Sequence, residues 1–183
     1  MSQLQRLGKY RVLKPLGAGA MGEVYLAEHE MLRVLHAVKI LPPEACGKPG
    51  FEKRFREEAR IMARLRHPGI VSVHDLGRDE TTGAYYIAMD FVSPDGRTPQ
   101  TLEDLLEQSG GRLPHERVGE ILHSLCEAVS YAHGMGVLHR DIKPSNILMD
   151  AEGAVRLADF GLAEMVGQEF VKESIMASRL LGS

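Results

Sequence analysis

The chain has 183 residues, 44% hydrophobic and 26% charged, with 22 Lys+Arg against 25 Asp+Glu and a formal net charge of −3. That length suits one domain or two small lobes with a real core, and the near balance of charge gives no reason to expect a nucleic-acid backbone or an anionic membrane as partner. Cys46 and Cys126 make neither a disulfide framework nor a zinc signature, and with no signal-peptide stretch and no run near the roughly 18 apolar residues of a membrane span, the chain is read as cytoplasmic.

Residues 10–41 read as three strands. Tyr10, Val12, Leu13 and Leu16 lead into a glycine cluster, and Val24-Tyr25-Leu26-Ala27 and residues 34–41 follow, β-branched and apolar between turn signals. Pro42-Pro43 closes the third strand because proline supplies no ladder donor. A helix comes next, in which Phe51, Phe55, Glu58, Met62 and Leu65 step by 4, 3, 4 and 3 and so share one face. His67-Pro68-Gly69 breaks it. Two further strands, within 70–76 and 84–92, flank the turn Asp79-Glu80-Thr81-Thr82-Gly83, and the polar Pro/Gly stretch 93–99 marks a boundary. Beyond it the pattern is helical: Thr101 caps a short helix reaching Gln108, with Glu103 and Asp104 in its first turn. A longer helix over 114–133 carries Val118, Ile121, Leu122, Leu125, Ala128, Val129 and Ala132 on one side.

Three groups of residues carry chemistry. Gly17-Ala18-Gly19-Ala20-Met21-Gly22, followed by Glu23-Val24, lacks the side chains that would keep backbone amides from phosphate oxygens. Alone it is better explained by a flexible hairpin turn, and a dinucleotide-binding loop would need a helix where Val24 to Ala27 reads as strand. The hairpin context favours a lid over a nucleotide. Lys39 stands in an apolar strand and Glu58 in an apolar helical stripe; each alone could snorkel to the surface, but two opposite misplacements read as a pair. The third group is His139-Arg140-Asp141-Ile142-Lys143-Pro144-Ser145-Asn146, then Ile147-Leu148-Met149 and, after a turn at Glu152-Gly153, Asp159-Phe160-Gly161. A carboxylate able to take a hydroxyl proton, a lysine two residues on and an amide five residues on fit a loop that handles phosphate and metal. An isolated Asp or Asn here would be read as a turn residue, which does not explain the ordered set. His29, His36, His67, His74, His115, His123 and His133 show no metal-ligand spacing and are read as surface or packing residues. The arginines between Lys53 and Arg66 are read as the solvated side of a helix.

In this order, Gly-x-Gly-x-x-Gly-x-Val, Ala37-Val38-Lys39, a helix glutamate, His-Arg-Asp, Lys-Pro-x-Asn and Asp-Phe-Gly resemble the bacterial-type, eukaryotic-like Ser/Thr protein kinases. The resemblance implies an α+β, protein-kinase-like bilobal fold: a five-stranded antiparallel small lobe with one main helix over 1–92, and an incomplete, mainly helical large lobe over 93–183. It implies ATP and Mg²⁺ as cofactors and a protein with Ser/Thr hydroxyls as substrate. Leu16, Gly17, Ala18, Gly19, Ala20, Met21, Gly22, Glu23 and Val24 would then cover ATP, with Lys39 on its α- and β-phosphates and Glu58 orienting Lys39. Met89 resembles the gatekeeper, Asp90 and Val92 belong to the hinge, and Val24, Ala37 and Leu148 would sandwich the adenine. Asp141 would be the catalytic base, Lys143 would stabilise charge on the moving phosphoryl group and mark the Ser/Thr branch, and Asn146 and Asp159 would hold Mg²⁺. Arg140 would pair with a phosphate on Ser174 or Ser178. Only 22 residues follow Gly161 and no Ala-Pro-Glu segment occurs. The apolar side of the helix over 114–133 is therefore expected to seek a second copy or another partner. The alternative reading is a nucleotide-binding fragment without turnover that acts as a regulatory or interaction module.

Overall fold

The computed structural model describes residues 5–19 and 22–160. Ala20 and Met21 of the glycine loop, and Gly161 onward with Ser174 and Ser178, lie outside the described residues. The described chain forms two units, one from residues up to 63 with 73–91, the other from 64–72 with 92–160.

The first unit is built on an antiparallel sheet: β1 (Arg6–Leu7), β2 (Tyr10–Gly19), β3 (Gly22–His29), β4 (Leu35–Ile40), β5 (Val73–Arg78) and β6 (Tyr85–Asp90), in the order β1-β2-β3-β4-β6-β5. Five of these strands match the sequence expectation; the two-residue β1 is additional, pairing Leu7 with Tyr10. Register sorts the side chains. Val24 opposes Lys39, Leu26 opposes Ala37, and across the next pair Ala37 opposes Met89 and Lys39 opposes Ile87. Directly opposed residues share a face, so Val24, Leu26, Ala37, Lys39, Ile87 and Met89 line one side of the sheet. The other side holds a core of Leu7, Tyr10, Ala27, Val38, Tyr86 and Ala88.

Two helices follow β4: the single-turn α1 (Pro43–Cys46), which the sequence reading did not include, and α2 (Phe51–Met62). Phe51 and Phe55 each meet the Tyr85 ring edge-on at 5.0 Å. Tyr85 alternates with Tyr86 along β6, so α2 packs on the Lys39 side of the sheet. Phe51, Phe55 and Met62 are buried and Glu58, between them, is half-buried. Leu65, expected on this helical stripe, lies past the helix end and belongs to the core of the second unit.

The second unit contains α3 (Leu102–Gln108), α4 (His115–Gly134), a single 3₁₀ turn (Pro144–Asn146) and the hairpin β7 (Ile147–Met149) with β8 (Val155–Leu157). Thr101 caps α3 through a reciprocal capping box with Asp104. Segment 64–72, placed with the small lobe by the sequence reading, joins this unit for a backbone reason: the Val71 N–H donates to Leu157 O, and the Leu157 N–H to Gly69 O. The core gathers Leu65, Ile70, Ile121, Ala128, Ala132, Val137, Ile147, Met149, Val155, Leu157 and Phe160. Along α4, Leu125 and Val129 pack against this core, whereas Val118 and Leu122 are 38% and 55% exposed. Among the described residues, no helix is long and apolar enough to cross a membrane.

Candidate functional site

In the first unit the glycine loop is the turn end of the β2–β3 hairpin. Gly17 pairs with Val24, Ala18 with Glu23 and Gly19 with Gly22. Gly22 has φ +111° and a Cβ there would fall 1.8 Å from Ile40 O, so only glycine fits. Gly17 is different: among the described residues a Cβ would meet nothing within 4 Å. The described residues therefore place no steric demand on that glycine. Leu16 sits half-buried in the irregularity between Pro15 and Gly17.

Lys39 is 5% exposed, in mid-strand between Val38 and Ile40, on the face that also carries Val24, Ala37 and Met89. Neither Lys39 nor Glu58 is without an interaction partner. Glu23 departs from this grouping. Strand alternation puts it on the opposite face from Val24, where its Oε2 accepts the Tyr25 hydroxyl at 2.6 Å, so its side chain does not join the set. Asp90 ends β6 with its carboxylate Oδ1 2.5 Å from His74 Nε2, which leaves its backbone as the part able to meet a base. Val92, in the second unit, is 5% exposed.

The second unit assembles the loop from His139 to Asn146 around one carboxylate. Asp141 Oδ2 receives Lys143 Nζ at 2.9 Å and Asn146 Nδ2 at 3.0 Å, and the same amide nitrogen donates to the Asp141 carbonyl at 2.8 Å. Asn146 is 8% exposed. With Nδ2 committed to Asp141, Oδ1 is the amide atom that can ligate a cation. The Ala158 N–H donates to Asn146 O at 2.8 Å, which sets Asp159 next to this loop. Asp159 and Arg140 are non-glycine residues with positive φ, +65° and +66°, sparsely populated conformations that cost about 1–3 kcal/mol each and persist where surrounding structure imposes them.

His139 does the imposing. It is 2% exposed, its Nε2 lies 2.7 Å from Ala158 O, and its Nδ1 accepts the Asp141 N–H at 3.2 Å. An accepting Nδ1 and a donating Nε2–H define a neutral tautomer. Burial, the leading effect, pushes its pKa below the ordinary imidazole value, outweighing the pull of Ala158 O and of the Asp159 and Asp141 carboxylates. Its ring meets Phe160 at 4.5 Å. One imidazole thereby ties the Asp141 loop to the segment bearing Asp159, a role that residue spacing alone did not reveal. Leu148 lies half-buried on β7, bridged to Thr101.

The donor chemistry fits magnesium brought in with phosphates. One carboxylate, Asp159, and one amide oxygen, Asn146 Oδ1, would offer hard oxygen atoms to a cation, and Mg²⁺ is commonly held by few protein atoms plus substrate phosphates. Among the described residues, no cluster of three or more His, Cys, Asp or Glu could hold a metal ion by itself.

Comparison with known proteins agrees over most of the chain. The protein kinase domain family matches residues 10–180. A probable serine/threonine-protein kinase of Streptomyces coelicolor is 41% identical over 170 residues, covering 91% of this chain and 24% of the relative. Serine/threonine-protein kinase PknB of Mycobacterium leprae is 39% identical over 160 residues, covering 86% of this chain and 25% of its own length, and PrkC of Bacillus subtilis is 38% identical over 156 residues, covering 85% and 23%. The chain thus spans about a quarter of these relatives. The crystal structure of the Mycobacterium tuberculosis PknI kinase domain superposes with a TM-score of 0.76 at 35% identity, covering 89% of this chain and 62% of that one.

Proposed function

We propose that this chain, which belongs to the protein kinase domain family, transfers the γ-phosphoryl group of ATP, with Mg²⁺, to serine or threonine hydroxyls of a protein. The observation that carries the reading is the Asp141 carboxylate held between Lys143 and Asn146. In the step proposed, the substrate hydroxyl oxygen forms a bond to the γ-phosphorus, the bond from that phosphorus to the β–γ bridging oxygen breaks, and ADP leaves with the electron pair. The hydroxyl proton passes to Asp141, whose orientation is fixed by Asn146. Lys143, on the same carboxylate, is within reach of charge developing on the transferred group. Lys39 supplies a cation to the α- and β-phosphates, its burial strengthening the attraction because little water screens it, and Glu58 on α2 orients it. Gly17 leaves room for the nucleotide against β2, while the Met89 and Ala37 side chains and the backbone of Asp90 meet the base, with Val24 on one of its faces. Mg²⁺, when bound by Asn146 and Asp159, neutralises phosphate charge.

The names of the relatives support serine or threonine as acceptor, as does Lys143 two residues past the base. The test is incubation with γ-labelled ATP, Mg²⁺ and a generic basic protein, followed by analysis of the labelled amino acids. Phosphoserine or phosphothreonine is expected. Label on tyrosine alone would contradict the assignment, and bound ATP with no label transferred would favour a nucleotide-binding module without turnover.

A further inference from the structure

Five side chains from five strands converge at one end of the first unit's sheet. Tyr10 opens β2, His29 closes β3, His36 and His74 lie near the starts of β4 and β5, and Asp90 closes β6. His36 is at the centre: its ring is 5.5 Å from Tyr10, 6.4 Å from His29 and 5.1 Å from His74, and Tyr10 and His29 are 5.4 Å apart. His36 is only 7% exposed, with Nδ1 3.2 Å from Val34 O, a contact that serves the neutral ring as donor. The acids nearby are engaged elsewhere. Asp90 meets His74 at 2.5 Å, and Asp75 on β5 meets Lys9 at 3.1 Å and the Tyr10 hydroxyl at 3.4 Å. Lys9 also lies over the Tyr10 ring at 5.8 Å, and Tyr86 of β6 meets that ring edge-on. The site thus holds three imidazoles in contact, while its two carboxylates are directed at His74 and at Lys9.

We propose that this imidazole cluster is an acid-sensitive latch: gaining a proton at His36 beside His29 and His74 loosens the strand ends that meet there and shifts the end of β6. His74 faces the Asp90 carboxylate at 2.5 Å, and His36 packs as a neutral ring. Burial first, then the charges of His74 and His29, hold His36 below the ordinary imidazole pKa, against the opposing pull of Val34 O and Asp90. A proton gained at His36 places charge on a 7% exposed ring whose imidazole neighbours lie 5.1 and 6.4 Å away. The relief available is separation of the strand ends, and Asp90 is the last residue of β6, so the displacement reaches the residue that leads out of the sheet. This device does not depend on the nucleotide reading.

The experiment is a histidine and backbone-amide NMR titration of the full chain from pH 7.5 to 5. The His36 Cε1–H resonance is expected to titrate with a midpoint below 6.5, and the amides of His29, Leu35 and Asp90 to shift with that same midpoint. His74→Gln is expected to raise the His36 midpoint by about half a pH unit, because a neighbouring positive charge is removed. His36→Phe should abolish the shared amide transition; if that variant does not fold, His74→Gln, at a largely surface position, decides alone. A His36 midpoint at or above 6.5, a midpoint unmoved by His74→Gln, or an amide transition that persists in His36→Phe would overturn the proposal.

Discussion

Two glycines of the same loop make opposite demands, and the contrast separates folding from binding one residue at a time. Gly22 is required by its positive φ and by the backbone 1.8 Å from any added Cβ; Gly22→Ala should cost more than about 1 kcal/mol and disturb the β3–β4 pairing. Gly17 meets no described residue, so Gly17→Ala should leave stability unchanged or raise it by up to about 1 kcal/mol through the unfolded chain, while lowering ATP affinity. Urea unfolding and calorimetric titration of the two variants check both halves. Equal stability losses would mean that both glycines serve the fold alone. The sequence showed the glycines but not this difference, because it depends on how closely β4 approaches Gly22. The direction of the Glu23 side chain was legible from alternation: if Val24 faces a nucleotide, its neighbour in a strand faces away. The histidines were not legible, since His29, His36 and His74 share no spacing and meet only after the four strands β3, β4, β6 and β5 have paired.

Helices α3 and α4 show where local sequence suffices and where packing decides. The Thr101–Asp104 capping box is a contiguous signal, and the structure has both of its hydrogen bonds; Thr101→Ala should destabilise by about 1 kcal/mol. The stripe along α4 was legible as a pattern, yet it could not say which member is covered. Ile121 is 4% exposed and Leu122 55%. Ile121→Ala should therefore cost about 2–5 kcal/mol and Leu122→Ala under about 0.5. Thermal or urea unfolding measures all three, and a Leu122→Ala loss as large as that of Ile121→Ala would mean that a second copy or another chain covers this face in solution. Leu65 and segment 64–72 mislead for a related reason. The stripe continues past Met62 in spacing, but the helix has ended, and backbone pairing with Leu157 carries the segment into the other unit.

For the molecule as a whole, each unit contains one buried imidazole held below its ordinary pKa, His36 in the first and His139 in the second. A group whose folded-state pKa is lowered for a base is favoured neutral in the fold, so its contribution is fully present above the unfolded value near 6.5 and is lost as pH falls below it. The stabilised carboxylates act in a different window: Asp79, held low chiefly by backbone N–H donors led by Gly8, and Asp95, held at about 2 chiefly by the Thr98 N–H, matter below the ordinary carboxylate range. Between pH 7 and 5.5 the urea midpoint should therefore fall, and a midpoint that stays level or rises would contradict the assignment of both imidazoles as neutral. The grouping of the proposed catalytic residues Asp141, Lys143 and Asn146 was legible because they lie in one contiguous motif and need only one loop to bring them together. Lys39, Met89 and Val24 needed strand register, and the tie from His139 to Ala158 needed the β7–β8 hairpin to bring distant segments back together.

The proposed phosphoryl transfer depends most directly on Asp141 as the base, and the decisive quantity is the single-turnover rate of phosphoryl transfer at saturating Mg²⁺–ATP for wild type and Asp141→Asn, with ATP binding confirmed for each by calorimetry. Wild type should transfer label to serine or threonine, and Asp141→Asn should bind ATP yet transfer it about 10²–10⁴-fold more slowly. Equal rates in the two proteins would contradict the account.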